Sequence, residues 1–267
     1  MSTSTKPCAR VSGTGAAAVI FAALALVPAR APAQGNFEIQ VYGSETVAPG
    51  TTMIELHSNS ALLGTTRAQD GVRPTQHAAH ETLEVTQGWT PWLETGFYLF
   101  TSIQPDQGWE WVGSHIRPRV RVPEAWQWPV GLSLSLEIGY QRRQYSADTV
   151  TLEIRPIVDK QIGPWYFAFN PVLDQSLKGP GTRTGIEFSP NAKVGFDVTK
   201  VVSPGIEYYG GVGPLDNFAA MRHQQHLLFA VADLNVDPRW EVNFGVGVGL
   251  THDTDGLILK LILGRRF

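Results

Sequence analysis

The residues of this sequence suited to chemistry stand in small, incomplete groups. His77 and His80, and again His223 and His226, have the i, i+3 spacing of two ligands to one metal. A zinc site needs three or four converging ligands, and both pairs fall in predicted loops with no third ligand nearby. Asp253-Thr254-Asp255-Gly256 matches a fragment of a calcium loop, but it lacks the remaining oxygen donors, and a tight acidic hairpin explains it equally well. Ser114-His115 pairs a nucleophile with a base. Adjacent residues of a strand point to opposite faces, so the two cannot meet one substrate together. No G-x-S-x-G, H-E-x-x-H or Gly-rich phosphate loop occurs. The sequence therefore reads as non-enzymatic, with no cofactor and no metal.

Charge spaced at every second residue is the stronger signal. Arg117, Arg119 and Arg121 would form a basic ladder on one face of one strand. Glu94, Glu137, Glu153, Arg155, Asp159, Glu187 and Lys193 fall at the polar phase of neighbouring segments. Glu55, Glu84, Asp174, Asp197, Glu207, Asp233, Glu241 and Lys260 have the same phase. The first ten are the candidate pore-lining residues, with Glu94, Glu137 and Glu153 expected within reach of the arginine ladder. Charges removed from bulk water must pair. A lining of both signs with an acidic excess would select small solutes by charge and favour cations.

Twelve segments could position these rows: 52–59, 81–88, 93–102, 111–122, 130–140, 149–159, 165–175, 184–196, 204–212, 225–235, 240–250 and 257–267. Each alternates apolar and polar residues, as Leu132, Leu134, Leu136 and Ile138 do against Ser133, Ser135 and Glu137. Most are near the length of about 9–11 residues that a tilted strand needs to cross a bilayer. The fold expected is all-β: a transmembrane antiparallel β-barrel of about twelve strands over 51–267, with both termini periplasmic. Pro118, Pro156, Pro171 and Pro190 interrupt the pattern. Because proline removes a ladder donor, they are expected at bulges.

Alternation alone does not say which face points inward. Connections after even-numbered strands are short, while those at 60–80 and 213–224 are long, the asymmetry of outer-membrane barrels. Trp89, Trp92, Trp126, Trp128, Trp165 and Trp240 gather at the short turns, as an interfacial aromatic girdle would. Leu257, Leu259, Leu261, Leu263 and Phe267 alternate to the last residue. A final strand ending in an aromatic residue resembles the recognition signal of outer-membrane barrel assembly, so the assembly machinery is an expected partner through Phe267.

Residues 1–33 read as a signal peptide: Lys6 and Arg10, the apolar run Ala16–Val27, then Ala31-Pro32-Ala33. Cys8 is the one cysteine and precedes the apolar run, so the mature chain has none. Removing Lys6, Arg10 and Arg30 takes the formal charge from −3 to −6, which gives no reason to expect nucleic acid as a partner. The alternating segment Phe37–Val47 within 34–50 precedes the barrel and is expected in the periplasm or the lumen.

The stretches HETLEVTQGWTPWLETGFYLF (80–100), GYQRRQYSADTVTLEIRPIVDKQIGPWYFAFNP (139–171) and WEVNFGVGVGLT (240–251) resemble a broad family of outer-membrane proteins associated with the meta-cleavage pathway of phenol degradation. The resemblance extends over 36–267. It implies a barrel admitting hydrophobic or aromatic small molecules and carries over no functional residue. The function expected is an outer-membrane channel for passive passage of small solutes, with outer-membrane lipid around it. The alternatives are a lipid-modifying outer-membrane enzyme and a closed structural or adhesion barrel. Mass spectrometry of the mature protein is expected to find a chain beginning at Gln34; a chain that retains Lys6 and Arg10 would contradict the leader.

Overall fold

A computed structural model describes residues 37–267 together with Met1, so the expected signal peptide lies outside the described residues. Twelve long strands follow one another: β1 (Thr52–Leu63), β2 (Ala79–Thr90), β3 (Leu93–Gln104), β4 (Gly108–Arg121), β5 (Gly131–Gln141), β6 (Val150–Ile162), β7 (Trp165–Lys178), β8 (Glu187–Phe196), β9 (Val202–Gly211), β11 (Gln225–Leu234), β12 (Trp240–Gly249) and β13 (Leu257–Arg266). A two-residue strand, β10 (Gly213–Pro214), pairs on β8. Each long strand pairs antiparallel with its neighbours, and β1 pairs with β13 from Met53↔Arg266 to Leu63↔Leu257. The ring is a closed barrel of twelve strands. Closure satisfies the backbone within the wall, which an open sheet in hydrocarbon would not do.

The wall is inside out. On β5, Leu134, Leu136 and Ile138 are exposed, while Ser133, Ser135 and Glu137 are buried. On β12, Phe244, Val246 and Val248 are exposed while Asn243 is buried. The same polarity runs round the ring: Leu83, Phe97, Ile116, Phe167, Val194, Ile206, Leu228 and Leu261 lie outside. In water, each such side chain would forgo roughly 1.5–3 kcal/mol of burial. Against lipid that cost vanishes, and the polar interior follows. A soluble barrel with a dry apolar centre is thereby excluded.

Two rims are distinct. At the turn rim, strands join through 91–92, 122–130, 163–164, 197–201 and 235–239. The loop rim carries 64–78, 105–107, 142–149, 179–186, 212–224 and 250–256. Thr52 and Phe267 exchange backbone hydrogen bonds, so the barrel begins and ends at the turn rim. Trp89, Trp92, Trp126, Trp128 and Trp165 are exposed there, and Trp109 and Trp111 at the loop rim. Arg265 lies over the Trp240 and Phe267 rings, 5.1 and 4.9 Å from their centres.

Several expectations need correction. The strands reach further than their apolar alternation, so 105–107 is a tight hairpin among the longer loops. His80 is a buried residue of β2 and not a loop residue, and His226 belongs to β11. The prolines are not at bulges. The register shifts lie at Ala61/Leu63, Gly88/Thr90, Phe100/Thr101 and Val150/Thr151, whereas Pro118, Pro156, Pro171 and Pro190 sit within strands on the outward phase. Facing lipid, a pyrrolidine ring needs no inward space, and only its missing donor is felt.

Leu136 is on the outer face, two residues from Leu134 and Ile138. Leu136→Arg is expected to destabilise the barrel by about 2–4 kcal/mol, the range for arginine at the midplane of a membrane barrel. Urea titration of the protein refolded in phospholipid vesicles reads this out, and an unchanged midpoint would contradict the outward assignment.

Candidate functional site

The interior of the barrel is occupied by its own chain. Residues 37–47 form no strand, yet Phe37, Glu38, Ile39, Val41, Tyr42 and Ser44 are all buried. The segment leaves the turn rim, where the Gly50 amide donates to the Gly88 carbonyl at 3.0 Å. It ends near the loop rim, where the Thr82 hydroxyl donates to the Phe37 carbonyl at 2.6 Å and the Phe37 ring meets His80 and Tyr145. We refer to it as the strap.

Alternation positions the wall groups that hold it. Arg117 and Arg119 are successive inward residues of β4, and Arg155 is inward on β6. Their guanidinium carbons lie 4.6, 5.6 and 4.8 Å from the centre of the Tyr42 ring. A desolvated cation over an aromatic face is worth up to about 2 kcal/mol, so Tyr42 is the strap's main electrostatic anchor. Arg119 also donates to the carbonyls of Gly43 and Glu45, at 3.2 and 2.7 Å. Asn170 of β7 clasps the backbone of Tyr42, accepting from its amide at 2.8 Å and donating to its carbonyl at 3.0 Å. Further along, the Val47 amide donates to Glu94 at 2.6 Å, Ser44 N–H donates to Asp159 at 3.2 Å, and Lys260 donates to the Ile39 carbonyl at 3.2 Å.

The charges of the wall pair among themselves. Arg117 meets Glu84 at 2.7 Å and Arg119 meets Glu94 at 2.6 Å. Glu153 takes Arg155 at 2.7 Å, and Lys193 bridges Glu207 and Asp233 at 3.2 and 2.8 Å. Lys260 pairs with the other oxygen of Glu207. On the strap, the Tyr42 hydroxyl donates to Glu38, which lies 3.9 Å from Arg155.

Of the ten residues singled out by phase, Glu94, Arg117, Arg119, Glu137, Arg155 and Lys193 are buried in the interior. Arg121, Glu153, Asp159 and Glu187 are partly exposed. Their grouping differs from the expected one. Glu94 does reach the arginine ladder, but Glu137 pairs with His115 at 2.5 Å, and Glu153 with Arg155. Arg121 turns to Glu124 at the rim, at 3.0 Å. Tyr42 and Asn170 carry the site and were not singled out in the sequence. The only trace of them was the alternation of 37–47 and one asparagine at the inward phase of β7.

Ser114 is exposed on the outer face while His115 turns inward, so the pair stays separated by the wall. Glu55, His57 and Glu84 bring one ligand atom each within 4.8 Å of one another, the one such group among the described residues. Arg117 already holds one oxygen of Glu84, so a cation there would compete with a guanidinium.

An apolar patch continues the site. Ile39 and Val41 pack on Ala168, Tyr209, Leu227, Phe229, Val231 and Ile258 of the inner wall. Phe37 packs with Tyr98, Phe100 and Val112. Glycine makes room for the first patch: a Cβ at Gly247 of β12 would lie 2.3 Å from the Phe229 ring. At the loop rim, Tyr145 donates to Glu110 at the start of β4 at 3.1 Å, and Arg73 and Arg142 pair with the same carboxylate, which ties two loops to that strand end. Burial pushes the Tyr145 hydroxyl above its ordinary range, so this tie stays protonated near neutrality.

The chain is similar in fold to the COG4313 outer membrane channel from Pseudomonas putida F1. The two are 13% identical, and the likeness covers 86% of this chain and 100% of that one, with a TM-score of 0.56. The translocator domain of autotransporter NalP from Neisseria meningitidis is 9% identical over 83% of this chain and 90% of its own, with a TM-score of 0.47. No family model matches the sequence, and no curated protein matches it.

Removing one member of a buried pair strands the other. Arg117→Ala leaves Glu84 with His57 at 3.4 Å and Thr86 at 2.6 Å. It is expected to destabilise the barrel by about 3–5 kcal/mol. The double variant Arg117→Met/Glu84→Gln is expected to recover most of that loss. Denaturant midpoints check both, and equal losses in the single and double variants would contradict the pairing.

Proposed function

We propose that this protein is an outer-membrane channel for passive entry of small apolar or aromatic solutes, with the strap as its closed-state plug. The observation that carries this reading is a chain segment crossing a charged lumen on reversible contacts alone. The strap is held by hydrogen bonds, guanidinium–ring stacking and packing, and the mature chain has no cysteine to lock it covalently. An apolar outer wall fits the molecule to a bilayer, and the leader expected at 1–33 would route it to the outer membrane.

The solute class follows from what the strap covers. Phe37, Ile39 and Val41 lie on apolar inner-wall patches. A solute that displaced them would need equivalent apolar surface, and an aromatic ring could in addition replace Tyr42 between the arginines. The resemblance to barrels associated with phenol degradation implies the same class. With Ser114 and His115 on opposite faces, passage without reaction is the simpler reading.

Planar-bilayer recording tests this. The intact protein is expected to conduct rarely, while Tyr42→Ala/Asn170→Ala, which removes both ring and clasp, is expected to open at least about tenfold more often, since each lost contact is worth about 1 kcal/mol. Adding Arg119→Glu to that background is expected to shift the reversal potential toward cations. A barrel that folds but conducts in none of these forms would exclude the channel.

A further inference from the structure

The inward row of β1 runs through Met53, Glu55, His57 and Asn59. Its ionisable members do not share in the pairing that satisfies the rest of the lumen. Glu55 is 6% exposed, and His57 and Glu84 of β2 are fully buried. Among the described residues no hydrogen bond or ion pair reaches the Glu55 carboxylate. The cations nearby are committed elsewhere: Arg117 to Glu84, Arg119 to Glu94 and Arg266 to Glu241. Register moreover sets Glu55 directly opposite Glu84, and like charges facing across a ladder repel. A buried carboxylate is costly unless it is paired or coordinates a metal. Glu55 is therefore the carboxylate of this group without a protein counter-ion.

The neighbouring donors point at the same spot. Glu84 Oε1 takes Arg117 at 2.7 Å and the Thr86 hydroxyl at 2.6 Å, while Oε2 has no hydrogen-bond partner among the described residues. Both ring nitrogens of His57 also lack one, and Nε2 stands 3.4 Å from that free Oε2. One ligand atom each from Glu55, His57 and Glu84 lies within 4.8 Å of the other two. A tetrahedral zinc ion with bonds of about 2.0–2.1 Å spaces its ligand atoms roughly 3.3–3.4 Å apart. The His57–Glu84 edge already has that length. Bringing Glu55 to the same spacing takes a shift of about 1.4 Å at most, which a side chain turning on three bonds can make.

The wall leaves room for that turn. Gly264 of β13 faces Glu55 in register, and a Cβ there would lie 2.8 Å from Glu55 Cγ. On the other flank a Cβ at Gly96 of β3 would lie 3.2 Å from Glu84 Oε1. Glycine thus stands beside each of the two carboxylates.

We propose that Glu55, His57 and Glu84 bind a divalent first-row transition ion of the zinc class, near the middle of β1 and inside the barrel. One imidazole with two carboxylates suits zinc, whereas calcium and magnesium are held by oxygen alone. Three protein ligands leave a fourth position for water. The Arg117 guanidinium opposes the ion's charge but holds a different oxygen of Glu84. With Thr86 it fixes the carboxylate from behind, as outer-shell partners of metal ligands do. The ion supplies the counter-charge for Glu55 and ties β1 to β2 from within. Because its ligands are closed to solvent, it enters as the barrel folds. The site stands whether or not the strap opens.

Metal content and stability test this on the full mature chain, refolded from urea into detergent micelles with either Zn2+ or EDTA. After loose ion is removed on a desalting column, elemental mass spectrometry is expected to find one zinc per folded barrel. Co2+ in its place is expected to give the strong visible bands of a four-coordinate ion. Glu55→Gln and His57→Gln are each expected to weaken binding by about 100-fold or more, since losing even an outer-shell partner costs about 10–100-fold. Either variant alone suffices for this comparison. In EDTA, Glu55→Gln is expected to unfold at a higher urea concentration than the parent, because it removes an uncompensated buried charge. In Zn2+ that order is expected to reverse, since the ion stabilises only the fold that binds it. His223→Gln/Asp253→Asn removes the loop-rim pair that lies 3.1 Å apart, and it is expected to keep the ion. Loss of the ion in that variant, with the two lumen variants binding as the parent does, overturns the proposal. So does a parent that carries no zinc, or one that takes Ca2+ in preference to Zn2+.

Discussion

A wall that is apolar outside must resolve all of its polar chemistry inside, and the rest of this structure follows from that constraint. Lipid-facing rows of leucine, valine and phenylalanine leave the alternate positions as the only place for charge. Glu84, Glu94, Glu207, Arg117, Arg155 and Lys260 are all nearly inaccessible, so each must find a partner within the ring. The wall alone supplies many of these partners, as between Arg117 and Glu84 or Lys193 and Asp233. It does not supply all of them. Arg119 spends part of its donor set on the carbonyls of Gly43 and Glu45, and three guanidiniums stack round one phenol ring. The strap is thus a polar complement to the lumen as well as an obstruction in it.

That double role sets the energetics of release. If the strap merely filled space, water could replace it at little cost. Here water must also hydrate Arg119, Glu94 and Asn170 as they lose backbone partners. Guanidinium and carboxylate accept that exchange readily, because a hydrogen bond to protein and one to water differ by only about 1 kcal/mol net. The apolar contacts of Ile39 and Val41 behave oppositely, since water is a poor substitute for Phe229 and Tyr209. An occupant that combines an aromatic face with apolar bulk replaces both kinds of contact at once, whereas salt or water replaces one.

How much of this could be read from the sequence depends on the period of the signal. Side chains of a strand alternate with period two, so membership of the inner or outer face is written locally. Leu134 against Ser135, or Arg117 against Pro118, is visible in adjacent letters. Strand order was equally accessible, because short connections force antiparallel neighbours. Pairing across the lumen was not. Whether Glu137 meets Arg119 or His115 depends on register and side-chain reach between strands, and the sequence records neither. Strand ends were missed where residues such as Ala79 and His80 continue the ladder ahead of the expected start at 81. The strap's alternation was legible while its location was not, since an extended segment with one apolar face looks alike in a wall or against one.

The prolines make the sharpest case. In sequence each is an isolated flaw, and a bulge is the usual accommodation for one flaw. Only register brings Pro156 opposite Pro171, and Pro171 opposite Pro190. A single proline such as Pro118 leaves one donor missing and interrupts the β4–β5 pairing only between Ile116↔Ile138 and Arg119↔Ser135. Two facing prolines remove both bonds of one narrow pair and leave two carbonyls confronting each other. Replacing either residue by any other would restore a donor. The interruption lies at the level where Arg155 and Asn170 hold Tyr42.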